Sequence, residues 1–505
     1  MKTDLTDEEL MQIRSILKTV PSVGKAVLFG SRAMGLARSN SDVDIMLYGD
    51  GLKMIDIMQI NRLLEETTLP YHFDLIRYDV KNQTLLDHVK QYGKVIFEQE
   101  GVSVGKNTWC NKWKQVQLQH IASVQTGPFG SQLHNKDYVL VGTPIVTVEH
   151  LGERKMTRKN LPHISEADKN RLSKYLLQYG DLLFSRVGSV DRCSWVSEDE
   201  DGWMFSGRCL RVRPINPEKI YHKYLYYFFN LESTKNFVRD IAVGATMPSI
   251  NTQLLSEIPI SYPDIVEQRR IGDILSCLDD MIENNNAINH RLEEMAQAIF
   301  KSWFVDFEPW GGVMPNHWRA GTLSEIAKIT MGQSPDGVSY NEIGDGTVFY
   351  QGRAEFGLRF PTRRLFTTQP KRMAAKGDVL VSIRAPVGDL NVTFESCCLG
   401  RGLAGIQSNS DCQSFVLYTM FALKQQLEMF NGEGTVFGSI NKDDMANLPV
   451  LIPPDNMIHR FEELIRPIDA TIEANYAESC YLQDTRDTLL PRLMSGELSV
   501  VDIKR

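Results

Sequence analysis

The chain is poorest in the features that would make it membrane-bound, disulfide-stapled or a self-sufficient DNA enzyme. No run of about eighteen apolar residues occurs, and the acidic start Met1-Lys2-Thr3-Asp4 is unlike a signal or transit peptide, so no membrane partner and a cytoplasmic location are expected. Its eight cysteines form no CxxC pair and no metal-ligand spacing with histidine, which suits reduced thiols and excludes a zinc site. No Asn-Pro-Pro-Tyr loop and no Gly-rich cofactor signature is present, which excludes methylation of DNA by the chain alone. The stretch Gly101-Val102-Ser103-Val104-Gly105-Lys106-Asn107 falls one residue short of a P-loop and ends in Asn, which excludes a motor.

What is present is length and repetition. At 505 residues with 42% hydrophobic content, several globular domains are expected. Two long amphipathic stretches dominate. In the first, Ile271, Ile274, Leu278, Met281, Asn285, Ile288, Leu292, Met295 and Ile299 alternate at three- and four-residue steps, the spacing of a heptad seam. Pro263 starts this helix and Pro309 with Gly311-Gly312 ends it. In the second, begun after Pro453-Pro454, the seam reads Phe461, Leu464, Ile468, Ile472, Asn475, Leu482, Leu489 and Leu493. A polar residue at a seam position costs stability but fixes register, so Asn285 and Asn475 predict an antiparallel pair of rods. At 1.5 Å per residue each rod is roughly 60 Å long, which suits a spacer.

After the first hundred residues the sequence repeats with a period of about 190 to 205 residues, one copy ahead of each rod. Trp113 to Gly127 recurs as Trp318 to Gly332. Gly180-Asp181-Leu182-Leu183-Phe184-Ser185-Arg186 recurs as Gly377-Asp378-Val379-Leu380-Val381-Ser382-Ile383-Arg384. Gly244 to Asn251, ending Ser249-Ile250-Asn251, recurs as Gly434 to Asn441, ending Ser439-Ile440-Asn441. Each copy is rich in short β-type runs and turns, with one late helix, near 221–238 and 414–430. Two globes alternating with two rods are expected: a first globe at 111–263, a central spacer helix at 264–310, a second globe at 311–453 and a C-terminal spacer helix at 454–505.

Charge is uneven. Although the net charge is −8, residues 106–263 carry 20 Lys+Arg against 15 Asp+Glu, whereas 264–310 carry 4 against 10. Basic residues gather on segments expected to be loops: Arg154, Lys155, Arg158, Lys159, Arg208, Arg211, Arg353, Arg363, Arg364, Lys371 and Arg372. Some would clamp phosphates, and some, as bidentate Arg, could read guanine edges. The second globe, with 13 Lys+Arg against 13 Asp+Glu over 311–453, is expected to bind weakly alone.

This body, from about 108 onward, resembles the specificity subunit of type I restriction-modification systems. The residues that carry the likeness are the two Gly-Asp strands, the two Ser-Ile-Asn loops before a Pro strand, Gln268-Arg269-Arg270-Ile271, and the closing Arg492-Leu493-Met494-Ser495-Gly496-Glu497-Leu498. The resemblance implies two target-recognition domains, each reading half of a split double-stranded DNA site, with the helical pair setting the unread spacer. It also implies two methyltransferase subunits and motor-nuclease (restriction) subunits as partners.

Residues 1–99, followed by a Gly-containing linker at 100–110, read as a separate α/β unit. Helix 7–19 precedes strand 25–29, a loop, strand 43–47, helix 52–68, strand 72–77 and a last helix to Tyr92. The loop opens with Gly30-Ser31 at a strand end, where backbone N–H groups could approach a phosphate. Asp42 and Asp44 alternate along the next strand and so share a face, and Asp74 lies in a later strand. Three convergent carboxylates suit magnesium ions that neutralise a triphosphate and activate an attacking hydroxyl. The unit resembles the minimal nucleotidyltransferase family. That resemblance implies Mg-dependent transfer of AMP from ATP to a protein hydroxyl, with Asp42 and Asp44 on metal, Asp74 as base or third ligand, and Gly30 and Ser31 on the phosphates. Members of that family often modify a helical RNase bearing Arg-x4-6-His. Arg158 to His163 fits those letters, but Pro162 argues against a helix there. The fold class is therefore multidomain α+β. An alternative function is a protein adenylyltransferase that the DNA-binding body merely targets.

Overall fold

The computed structural model describes residues 5–34, 42–49, 54–65, 69–78, 92–99, 113–130, 132–244, 246–432 and 438–500, with residues 52, 67, 86 and 89 besides. The chain divides into two compact units, 1–277 with 486–505 and 278–485.

In the N-terminal head, helix Asp7–Lys18 is started by a capping box. The Thr6 hydroxyl accepts from the Glu9 N–H while the Glu9 carboxylate accepts from the Thr6 N–H, and Leu10, Ile13 and Leu17 are buried below. A four-stranded sheet follows in the order Phe73–Arg77, Val43–Tyr48, Lys25–Phe29, Lys94–Glu98. Only the first two of these strands pair in parallel, joined by a crossover through helix Met54–Glu65. Most of the expected helix before Tyr92 lies outside the described residues. The strand Lys94–Glu98 was not foreseen. It pairs with Lys25–Phe29 and buries Ile96 in the head core.

Both globes are built to one plan. In the first, an antiparallel sheet runs Cys193–Trp195, Leu182–Ser185, Cys209–Pro214, Ala122–Thr126, and in the second Leu390–Val392, Val379–Ser382, Leu403–Ser408, Ala327–Met331. A smaller mixed sheet accompanies each. It has four strands in the first globe, with Met204–Phe205 parallel to Thr143–Val146, and five in the second, with Cys397–Leu399 parallel to Thr347–Tyr350. The first repeated segment and the Pro-bearing strand pair with each other, Lys114–Gln117 with Pro259–Tyr262 and Arg319–Thr322 with Pro449–Ile452. The late helix is two helices in each globe. Leu231 leaves helical backbone (φ −58°, ψ 134°) between His222–Asn230 and Glu232–Ile241, and Leu423 separates Gln413–Ala422 from Lys424–Glu428.

The rods are helices Ile265–Phe304 and Asp455–Met494, 40 residues each. The Asp264 carboxylate accepts from the N–H groups of Val266 and Glu267 and so caps the first. Their pairing corrects the expected seam. In the first rod Met281, Ile288 and Met295 are 41%, 38% and 46% exposed, and Ile282, Asn289 and Ala296 are buried in their place, as Leu275 is beside half-buried Ile274. In the second, Leu464 is exposed and Ile465 buried. The two readings are both heptads that share every other position, so spacing cannot choose between them.

The side chains that choose are polar. In the 278–485 unit, Asn285 Nδ2 donates to Glu478 Oε2 at 2.9 Å, Asn289 Nδ2 to the Ile472 carbonyl at 3.1 Å, and Asn475 Nδ2 to Asn289 Oδ1 at 2.8 Å. Contacts that descend along one rod as they ascend the other make the pair antiparallel. Each Asn donates a hydrogen bond across the seam in this register.

Candidate functional site

In the head, parallel pairing sets Asp44 directly beside Asp74, so both point to one face of the sheet. Asp44 is half-buried, while Asp42 and Asp74 are exposed. Gly30 begins the short helix Gly30–Met34 with φ +71°, and a Cβ there would collide with the Asp44 carboxylate. Only glycine allows the helix start to lie against that carboxylate. Ser31, next to it, is half-buried. Among the described residues no three His, Cys, Asp or Glu side chains stand close enough to hold one ion. The donor set is thus a neighbouring carboxylate pair with a third carboxylate two residues before it. Hard oxygen donors of this kind fit Mg2+, which is commonly held by one or two carboxylates together with substrate phosphates.

In each globe four loops meet at one end of the antiparallel sheet. In the first these are 127–130, 186–189, 206–208 and 247–249. A Cβ on Gly127 would strike the Ser206 carbonyl and one on Gly207 the Pro128 carbonyl. The Arg186 N–H donates to the Arg208 carbonyl at 2.9 Å, and the Gly188 N–H to the Pro248 carbonyl at 2.8 Å. The Arg186 guanidinium lies 5.4 Å from the centroid of half-exposed Phe129, and Arg208 is exposed beside it. The second globe repeats the pattern. Gly332 packs on Gly400, Gly400 and Gly402 pack on Gln351, and the Arg401 N–H donates to Ser334 Oγ. The Ile383 and Ala385 N–H groups bind the carbonyls of Gly402 and Gly438. Arg384 and Arg401 are exposed there. This cluster brings the repeated Ser-Arg strand end and the Ser-Ile-Asn loop together. Arg186, Arg384 and Arg401, not singled out from sequence, stand with Arg208 on it.

The other basic residues fall into two groups. Five exposed ones are paired with acids of their own globe: Arg158 with Asp199 and Glu200, Arg353 with Asp389, Arg363 with Glu395, Arg364 with Glu355 and Glu342, and Lys371 with Asp336. Lys155, Lys159 and Arg372 are also exposed. Arg154 and Arg211 are not loop residues open to solvent. Arg154 is buried over the Trp195 ring, and Arg211 lies within strand Cys209–Pro214, donating to the Leu176 carbonyl at 3.1 Å. Alternation along that strand turns Arg211 inward, a direction that a list of basic positions cannot register. Residues 158–163 are not helical and His163 opens a short strand, as Pro162 implied.

Comparison with known proteins matches the family model for the type I restriction modification DNA specificity domain twice, at residues 111–294 and 315–478. The chain belongs to the type I restriction-modification DNA specificity family. It is similar to the putative type I restriction enzyme MjaX specificity subunit of Methanocaldococcus jannaschii, 31% identical over 77% of this chain and 94% of that one. Its fold is like that of the S subunit of a type I restriction-modification system from M. genitalium, with a TM-score of 0.52 at 16% identity over 77% of this chain and 97% of that one. Residues 11–101 match the polymerase beta nucleotidyltransferase family. They resemble the probable protein adenylyltransferase MntA of Haemophilus influenzae, 28% identical over 100 residues and 86% of that protein. Among the described residues no helix is long and apolar enough to cross a membrane.

Inside the specificity domains, charges that sequence reading missed do structural work. In the first, Asp181 is 1% exposed and holds Arg213 through two hydrogen bonds of 2.6 Å. In the second, Arg359 is 6% exposed and donates to Glu293 on one rod and to Asp469 on the other, at 3.0 and 2.6 Å. Burial alone would lower the pKa of Arg359, but the Asp469 carboxylate outweighs it with help from Tyr418 and Glu293 and keeps the group firmly charged. Repetition was the available signal for Asp181, since the Gly-Asp pair occurs in both copies. Nothing local marks Arg359.

Proposed function

We propose that the chain is the DNA-reading subunit of a type I restriction-modification complex. Each globe contacts one half of a split duplex site through its four-loop cluster, and the paired rods hold the halves at a set distance. The observation that carries this reading is the occurrence of the same glycine-packed, arginine-bearing loop cluster at the same sheet end of two globes whose other loops differ. Glycines let the backbone come close to a phosphate, and free arginines supply bidentate donors. Lys159, Arg208, Arg372, Arg384 and Arg401 stand ready for phosphate or base, whereas the five paired cations would have to exchange an internal carboxylate for DNA. Methyltransferase and motor-nuclease subunits would supply the chemistry on DNA.

The head is read as an AMP-transferring enzyme. Asp42 and Asp44 would hold Mg2+, Asp74 would act as base or further ligand, and Gly30 and Ser31 would receive the phosphates of ATP. The ion would neutralise the triphosphate and favour the attacking hydroxyl. Gly30 pressed on Asp44 is what favours this second activity, because a purely structural helix start has no need of that approach.

The test has two arms. Sites selected by the chain with its methyltransferase subunits should be bipartite, and Arg208→Ala or Arg401→Ala should relax one half only; a single continuous site overturns the reading. Incubation with Mg2+ and α-labelled ATP should label a protein, with Asp44→Ala abolishing the label. Label without DNA selectivity would favour an adenylyltransferase that its body merely targets.

A further inference from the structure

A buried charge cluster joins the second globe to both rods, and it lies inside one compact unit, 278–485. Arg359 Nη1 donates to Glu293 Oε1 of the first rod at 3.0 Å and faces Tyr418 Oη at 3.4 Å, while Nη2 donates to Asp469 Oδ1 of the second rod at 2.6 Å. Tyr418, on helix Gln413–Ala422 of the globe, also donates to Asp469 Oδ1 at 2.9 Å. The Arg359 backbone is fixed too, since its carbonyl accepts from the Val392 N–H at 2.9 Å. Next to it, Phe360 packs on Tyr476 of the second rod with ring centroids 4.7 Å apart, and Tyr476 Oη faces the Pro361 carbonyl at 3.4 Å.

The first globe meets its rod segment differently. Tyr221 donates to Asp273 at 2.6 Å and Lys223 to Ser276 at 3.0 Å, with Asp273 largely exposed. Asp273 lies at the surface, and buried Gln268 adds bonds to the Tyr221 N–H and the Lys219 carbonyl, but among the described residues no charged group of the first globe bridges two rods as the Arg359 guanidinium does.

A buried ion cluster adds little net stability over apolar residues of equal size, because desolvation offsets the attraction. What it supplies is geometry, since a guanidinium that must satisfy carboxylates on two rods has one orientation. We infer that Arg359, with Glu293, Asp469 and Tyr418, is a positioning set that locks the second globe at one angle on the rods and thereby restricts the spacer length of the DNA site. One added base pair moves a half-site by about 3.4 Å and turns it by roughly 35°. A globe free to rock on its rods could follow part of that change; a locked one cannot.

This inference rests on the split-site reading. Its test uses the full chain, expressed with its methyltransferase subunits, and DNA carrying the two half-sites at the selected spacing and at one base pair more and fewer. The wild type should reject the altered spacings by at least about tenfold, and the apolar variant Arg359→Met/Glu293→Leu/Asp469→Leu/Tyr418→Phe should narrow that to about twofold while keeping both half-site sequences. Tyr418→Phe alone, which keeps the charge balance should the fourfold variant fail to fold, should fall between. Unchanged spacing selectivity in a folded variant, even with a lowered Tm, overturns the inference and leaves the split-site reading standing. A wild type without a bipartite site overturns both.

Discussion

The two globes share one sheet topology yet treat the same buried aspartate in opposite ways. Asp181 and Asp378 both follow a glycine in the left-handed region and both accept from a backbone N–H three residues earlier, from Gln178 and Ala375. Facing Asp181 on the next strand are Arg211 and Arg213; the matching positions in the second globe are Gly405 and Gln407. Without an arginine, burial raises the Asp378 carboxyl above its usual range. The second globe has instead placed its buried arginine, Arg359, against the rods. A scaffold can thus keep a turn-forming carboxylate and drop its ion pair: arginine cross-links the sheet in one copy and, buried, ties the globe to the rods in the other.

The sharpest way to break this comparison is to neutralise each aspartate. Asp181→Asn strands Arg213 and the buried Arg211, and removing one partner of a buried pair costs about 3–5 kcal/mol. Since Arg213 keeps some solvent access, the lower end of that range is expected. Asp378→Asn keeps the turn acceptor and removes a charge that burial already disfavours, so a change of about 1 kcal/mol or less is expected. Chemical denaturation of the two variants checks the difference, and equal losses would dissolve the contrast.

A second difference is acid sensitivity. His222, at the start of helix His222–Asn230, packs against Tyr179, Trp195 and Tyr221, and burial with nearby Lys223 and Arg269 lowers its pKa to about 4. A histidine so lowered is neutral in the folded state while the unfolded chain takes up protons near pH 6.5. Its stabilising contribution is therefore complete above about pH 6.5 and is lost as pH falls towards 4, amounting to about 2 kcal/mol after allowance for partial exposure. The matching position in the second globe is Gln413, which does not titrate. A melt in which the first globe's transition moves down in acid, and stops moving in His222→Gln, is the expected result.

How much of this was readable in the chain differs by length scale. Repeats gave the globes and heptads gave the rods, because both signals accumulate over many residues. Three of the four head strands were legible from apolar runs and its carboxylates from alternation. The seam was misread by one position at every second step because Met281, Ile288 and Met295 are more apolar than Asn289 and Ala296, and apolarity was the only criterion available. The actual seam is set by what Asn289 can reach on the other rod, a partner 183 residues away in sequence. Arg211 and Arg359 were obscured for the same reason: a basic residue shows its charge in the sequence, but its carboxylates belong to strands and helices brought beside it only by folding.

The smallest effect tests two residues that do the same job from different turns of their rods. Gln268, in the first turn of one rod, and Glu462, two turns into the other, are 0% and 7% exposed, and each caps the late helix of its own globe. Gln268 accepts from the Tyr221 N–H at 3.0 Å and donates to the carbonyls of Lys219 and Pro263 at 3.0 and 2.9 Å. Glu462 only accepts, from the Ser414 hydroxyl at 3.1 Å and the Phe415 N–H at 3.2 Å. An amide at 462 would turn its NH2 on a donor, so Glu462→Gln should cost about 1 kcal/mol. Burial raises the Glu462 carboxyl, outweighing its hydrogen bonds from Phe415 and Ser414. A raised folded-state pKa means that its contribution is complete below the ordinary carboxylate value and falls as pH rises through the raised one. The deficit of the Gln variant should therefore be larger at pH 4 than at pH 7. A deficit that grew toward neutrality would mean that the ionised carboxylate, not its shape, is what the helix start requires.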